Sequence, residues 1–190
     1  MQQDEYFSVN AGLTINVEPL PADEMTPDEQ SFSLEIPPLF RVASECNQLD
    51  DNLERSLSTL GQTEQQALTA YLTAQNNKIN LLLTFVLSQQ NDPAYRFTTE
   101  SFGASRLSYR SPVALSQGSA VRVKLFLDNP AAAVYAYAEV AECTEQDDQF
   151  EITLKYTRLQ EDDRDLLIRA ALHFQQKILR QRAQQRSENQ

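Results

Sequence analysis

A tract of 52 residues, Leu39 to Gln90, holds one glycine, Gly61, and no proline, so little except helix is open to it. Its apolar residues recur at Leu39, Val42, Cys46, Leu49, Leu53, Leu57 and Leu60, spacings of three and four that draw a narrow helical stripe. After Gly61 the pattern resumes at Leu68, Leu72, Ile79, Leu82 and Val86, with Ala67, Tyr71, Ala74, Leu81 and Phe85 on an adjoining face. A continuous helix of this length would run roughly 75 Å at about 1.5 Å per residue, longer than one small domain covers. Gly61 is a natural breaking point, and Thr63 with Gln66 reads as a capping box restarting the helix. Either way the apolar stripes ask for helix partners, within the chain or between copies, and a homo-oligomer is expected. The residues assigned to it are Val42, Cys46, Leu49, Leu53, Leu57, Leu60, Leu68 and Leu72.

Charge divides the chain into three. Residues 1–38 carry eight acids and no Lys or Arg, residues 39–94 six acids against three bases, and residues 95–190 thirteen of each. Neither a basic stripe nor a reading motif points to duplex nucleic acid. No run approaches the roughly 20 apolar residues of a membrane span, and the acidic start lacks the pattern of a signal peptide. Two cysteines, Cys46 and Cys143, form no disulfide framework, so a reduced cytoplasm is the expected location. With one histidine, no Walker loop and no His or Cys cluster, neither an enzyme nor a metal site is expected.

Before the tract, Tyr6 to Leu20 reads as a short hairpin turning at Asn10-Ala11-Gly12, and Phe32, Leu34 and Ile36 alternate as a strand stopped by Pro37 and Pro38. After Asn91-Asp92-Pro93 the apolar period drops from 3.6 to 2. Strands are expected at Tyr95 to Glu100, Ser105 to Tyr109, Ala120 to Leu127, Ala133 to Cys143 and Phe150 to Tyr156, with turn residues between them. Strands at this spacing suggest a small antiparallel barrel. A last helix opens with Glu161, Asp162 and Asp163 and ends among Arg180, Arg182 and Arg186, as the helix dipole favours. Leu167, Ala171, Phe174 and Ile178 form its inward stripe, with His173 expected to be partly buried beside it. The chain divides by this reading into an acidic N-terminal segment with short strands (1–38), a helical oligomerisation region (39–94), and a barrel with its C-terminal helix (95–190).

In order and spacing, Phe97 to Arg182 resembles a PilZ domain, on Thr99-Glu100-Ser101-Phe102-Gly103-Ala104, Arg106-Leu107, Tyr109-Arg110-Ser111-Pro112, Val121 to Leu125 and Leu159 to Ile168. With the helical tract included, the chain resembles the atypical, tetramer-forming branch of that family. The resemblance implies an α+β fold, a six-stranded antiparallel β-barrel with a C-terminal helix, preceded by long oligomerising α-helices, and a place in cyclic di-GMP signalling.

Typical PilZ receptors hold the dinucleotide with an Arg-x-x-x-Arg pair and an Asp/Asn-x-Ser-x-x-Gly strand motif. Here Thr99 stands in the first motif position, Ser101 keeps the second, and Ala104 replaces the last glycine, with Gly103 beside it. No Arg-x-x-x-Arg precedes them. The resemblance thus implies a degenerate site at Arg96, Thr99, Ser101, Gly103, Arg106 and Arg110, with cyclic di-GMP weakly bound or absent and no cofactor. The leading reading is a signalling adaptor contacting an unidentified protein partner. The alternatives are a receptor using a site made by Arg96, Ser101, Arg106 and Arg110, and a purely structural oligomer.

Overall fold

The computed structural model describes residues 7–21, 23–57, 62–128 and 130–188. Seven strands form one sheet: β1 (Ser8–Val9), β2 (Thr14–Pro19), β3 (Arg96–Gly103), β4 (Arg106–Ser111), β5 (Ala120–Asp128), β6 (Ala131–Gln146) and β7 (Gln149–Arg158). Their order is β1-β3-β2-β5-β6-β7-β4, and β4 returns to pair with β3. Strands β2 to β7 therefore close into a six-stranded antiparallel barrel, which leaves them no free sheet edge. β5 shows the pattern plainly. Val121, Val123, Leu125 and Leu127 point into the core, while Arg122, Lys124 and Phe126 point out.

The N-terminal strands belong to this sheet. β2 lies between β3 and β5, with Ile15 opposite Phe97 on one side and Leu125 on the other. β1 and β2 do not fold back on each other. Both run antiparallel to β3, whose Phe102 faces Val9 and whose Thr98 faces Thr14. The expected hairpin is one interrupted strand, with Asn10-Ala11-Gly12 at its interruption. The division at Pro38 therefore does not follow the sheet, because the barrel takes β2 from residues 1–38 and the other five strands from residues beyond 95.

The segment read as a strand at Phe32 to Ile36 is a helix, α1 (Glu29–Glu35). Asp28 caps it, its Oδ1 accepting from the Ser31 amide at 2.7 Å, and these bonds hold the Asp28 carboxyl below its ordinary value. Phe32 and Ile36, four residues apart, are buried, while Leu34 is 76% exposed. The alternation was a helix turn in disguise.

Two long helices follow, α2 (Pro38–Leu57) and α3 (Gln62–Ser88). Gly61 lies outside the described residues. The start of α2 and the end of α3 meet on the outer face of β6, where Phe40, Ala43 and Leu87 join Phe32, Ile36, Ala133, Tyr135 and Tyr137 in a second core. This explains why β6 is buried without a break from Ala131 to Ala138: one face lines the barrel and the other carries helices. Each large side chain buried there contributes on the order of 2 kcal/mol.

The last helix, α4 (Glu161–Glu188), seats Leu166, Leu167, Ala170 and Ala171 in the barrel core, with Phe174 and Ile178 packed against it. The expected inward stripe is present. His173 is exposed rather than partly buried, its ring near that of Phe174, since it projects from the helix away from the barrel. No helix among the described residues is long and apolar enough to cross a membrane.

Candidate functional site

The six residues assigned to a ligand site all lie on β3 and β4, yet the fold already employs most of them. Thr99 is buried. Its hydroxyl donates to the Ala11 carbonyl at 2.7 Å and accepts the Leu13 amide at 2.8 Å, so it bonds the interruption between β1 and β2 to the barrel. The register shifts between Thr99 and Ser101, a bulge that re-aims the side chains after it. Ser101 shares a hydrogen bond with the Ser108 hydroxyl at 2.8 Å, across the strands and not to its own backbone. Gly103 passes beneath Phe7, where a side chain would meet backbone.

The arginines divide. Arg96 donates from Nε to Asn91 Oδ1 at 2.9 Å and from Nη2 to the Asn91 carbonyl at 3.0 Å, clamping the turn after α3. Arg110 pairs with Glu100 at 2.6 Å. Arg106 is exposed, stands across from Lys155 on β7, and has no hydrogen bond or ion pair among the described residues. Arg106 and Lys155 stand side by side on the outer face of β4 and β7, with Glu139 of β6 across from Lys155 on its other side.

Sequence reading missed the polar joints of the fold. Asn16 is buried, and its amide exchanges bonds with Asn91 and Asp92, including the Asp92 amide at 2.8 Å. Arg122 pairs with Glu18 at 2.8 Å and Glu24 at 3.0 Å and lies over the Tyr137 ring. Tyr137 in turn donates its hydroxyl to Glu35 of α1. Each joint links residues far apart in the chain, and local pattern carries no signal for it.

The residues assigned to oligomerisation are only partly visible. Val42 is 47% and Leu68 41% exposed, Cys46 and Leu72 are half-buried, and Leu49, Leu53, Leu57 and Leu60 lie outside the side chains the structure describes. Among the described side chains, α3 presents Tyr71, Ala74, Leu81 and Phe85, with Lys78 between them, at spacings of three and four, all exposed, and Leu82 beside them. That is the geometry of a helix-pairing seam. Among the described residues no cluster of His, Cys, Asp and Glu is arranged to hold a metal.

No family model matches the sequence, and no curated protein matches it either. Solved structures do share its fold. An inhibitor of motility from Bacillus subtilis (MotI/DgrA) is 10% identical with a TM-score of 0.50, over 93% of this chain. The chain spans about half of that protein, 53% of its length. A protein from Xanthomonas campestris, described as a tetrameric PilZ domain self-assembled through a helical bundle, is 15% identical with a TM-score of 0.53, over 93% of this chain and 91% of its own.

Proposed function

We propose that this PilZ-like chain is a non-enzymatic, cytoplasmic adaptor of cyclic di-GMP signalling that acts by self-association and protein contact. The observation that carries this reading is the occupation of the motif. Thr99 is bonded to Ala11 and Leu13, Ser101 to Ser108, and Gly103 lies against Phe7. Of the positions that grip a dinucleotide in typical PilZ receptors, Thr99 here holds the N-terminal strand and Ser101 bonds β4, while Gly103, beside the last position, makes room for Phe7. Self-association is assigned to the outer face of α3, on its exposed apolar seam, and the helical bundle described for the Xanthomonas campestris protein supports it.

Calorimetric titration of the full chain with cyclic di-GMP tests the reading. Losing two charge-assisted contacts of about 1.5 to 3 kcal/mol each weakens a micromolar site to about millimolar, so no saturation is expected below about 100 μM. A second reading, a receptor with an unusual site, is favoured by the adjacent cations Arg106 and Lys155. Low-micromolar affinity that vanishes in Arg106→Ala would replace the adaptor with that receptor.

A further inference from the structure

An acidic strap lies across the outer face of the barrel and is held there by few contacts. Residues 21–35 leave the end of β2, reach β5, β6 and β7, and return as α1 to the start of α2. They carry five acids, Asp23, Glu24, Asp28, Glu29 and Glu35, and no Lys or Arg. Of the side chains described in the strap only Phe32 is buried, and Met25 is 87% exposed. A segment with so little burial opens at a lower free energy than the strands beneath it.

Beneath the strap the strands present a row that receives acidic and aromatic groups. Arg122 of β5 stands opposite Tyr137 of β6, and Tyr137 opposite Arg158 of β7. The strap meets all three. Glu24 pairs with Arg122 Nη2 at 3.0 Å, Glu35 accepts from the Tyr137 hydroxyl, and the Pro27 carbonyl accepts from Arg158 Nε at 3.1 Å. Burial and the Glu35 carboxylate push the Tyr137 hydroxyl up, so it remains a donor toward a carboxylate. Phe32 is stacked on Tyr135, 6.0 Å between ring centres, and edge-on to Tyr137 at 6.1 Å, an aromatic anchor flanked by charge-assisted bonds. Glu18 of β2 occupies Arg122 Nη1 and leaves Nη2 to the strap. A groove of about 600 Å³ separates Glu29, Phe32 and Ser33 from β7 and the first turn of α4, so no wall packs against α1 there. Glu161 and Asp162 line its α4 side; carboxylates are received at the row and not in the groove.

We propose that the strap is an internal stand-in for an acidic segment of a partner protein, and that lifting it opens the row of Arg122, Tyr137 and Arg158, with Tyr135, as the docking surface. The partner's chemistry follows from the occupant already seated there, an aromatic ring between carboxylates. This rests on the adaptor reading and names the surface through which it makes protein contact. Cyclic di-GMP does not enter the test, so failure here strikes this surface and leaves the adaptor reading to its own titration.

Fluorescence anisotropy of a labelled synthetic peptide of residues 20–36, added to the full chain, tests the surface, and hydrogen exchange reads the strap. In the parent, the amides of residues 28–36 are expected to exchange at least about tenfold faster than those of β5 and β6. The peptide should bind the full chain carrying Glu24→Gln, Glu35→Gln and Phe32→Ala below about 100 μM, and the parent at least about tenfold more weakly, because the parent's own strap competes from a high effective concentration. Glu24→Gln with Glu35→Gln alone keeps Phe32 in the second core, gives an intermediate affinity, and decides the matter if the triple variant does not fold. Arg158→Gln in either background should weaken the peptide about tenfold. A second peptide that keeps only Glu24, Phe32 and Glu35 among alanine and serine should bind within about tenfold of the first. Equal affinity in parent and variants, no saturable binding to either variant, indifference to Arg158→Gln, or a strap exchanging as slowly as β5 and β6 would each overturn the proposal. So would failure of the second peptide, or loss of the signal as protein concentration rises, since the surface would then serve only the strap of this chain or of a second copy.

Discussion

Gly103 passes so close to Phe7 that a Cβ on it would stand 2.4 Å from the Phe7 carbonyl oxygen. The neighbour is backbone, so relief requires the N-terminal strand to move. Gly103→Ala is expected to cost about 1 to 3 kcal/mol and to free β1 from β3. Denaturant unfolding reads the loss, and limited proteolysis should show new cleavage near Phe7. An alanine variant as stable and as protected as the parent would mean that β1 does not lie on β3.

Deleting residues 1–38 should abolish cooperative unfolding. The deletion removes β2 from between β3 and β5, exposing two unpaired edges and the core side chains Ile15 and Val17 pack against. Calorimetry of the truncated chain decides this, and a sharp transition near that of the full chain would assign the barrel to residues 95–190 alone.

Stability should fall as pH rises from about 4 to about 7. Asp163 is buried at the start of α4, facing Phe40, Arg41 and Glu45 of α2. Burial, with Asp162 alongside, pushes its carboxyl up to about 7 from an ordinary 3.8. The folded chain therefore keeps a proton that the unfolded chain releases, and stability is full below the ordinary value and lost up to the raised one. The loss is about 3 to 4 kcal/mol, the helix dipole offsetting part of it. Denaturation midpoints measured across this range should decline, and Asp163→Asn should remove most of the slope. A slope unchanged in the variant would place the titration elsewhere.

Leu81 and Phe85 are 71% and 67% exposed, so Leu81→Glu with Phe85→Glu should leave the barrel's unfolding temperature unchanged. In light scattering the parent is expected at a multiple of 21.6 kDa and the double variant at that single-chain mass, because carboxylates cannot be buried in an apolar seam without cost. A parent that already scatters as one chain at micromolar concentration removes self-association from the proposed function.

Strand β5 was legible because one face lies in the barrel and burial writes itself into a period of two, and β6, buried on both faces from Ala131 to Ala138, reads instead as an unbroken apolar run; even the turn at Asp147 and Asp148, both with positive φ, was marked by its residue types. What stayed hidden is pairing at a distance. The residues around Asn10-Ala11-Gly12 look like a local turn, but their strands pair with β3 across the whole helical tract. Phe32 and Ile36 fit a strand or a helix equally well until the capping bond from Ser31 to Asp28 is seen. At the site, the motif positions were found, but their internal use was not, since the partners Ala11, Leu13 and Phe7 are simply backbone.

The bonds between Asn16 and Asp92 join residues 76 positions apart, one at each side of the helical insertion, and this bears on how the chain reaches its fold. Closing so long a loop costs roughly 4 kcal/mol in chain entropy if the intervening residues are free. If α2 and α3 pair first, their outer ends are already brought together and most of that cost has been met before β2 meets β3. The insertion would then set the pace of barrel closure, so that destabilising the α2–α3 contact slows refolding, while strands β5 to β7, joined in sequence by short turns, form early.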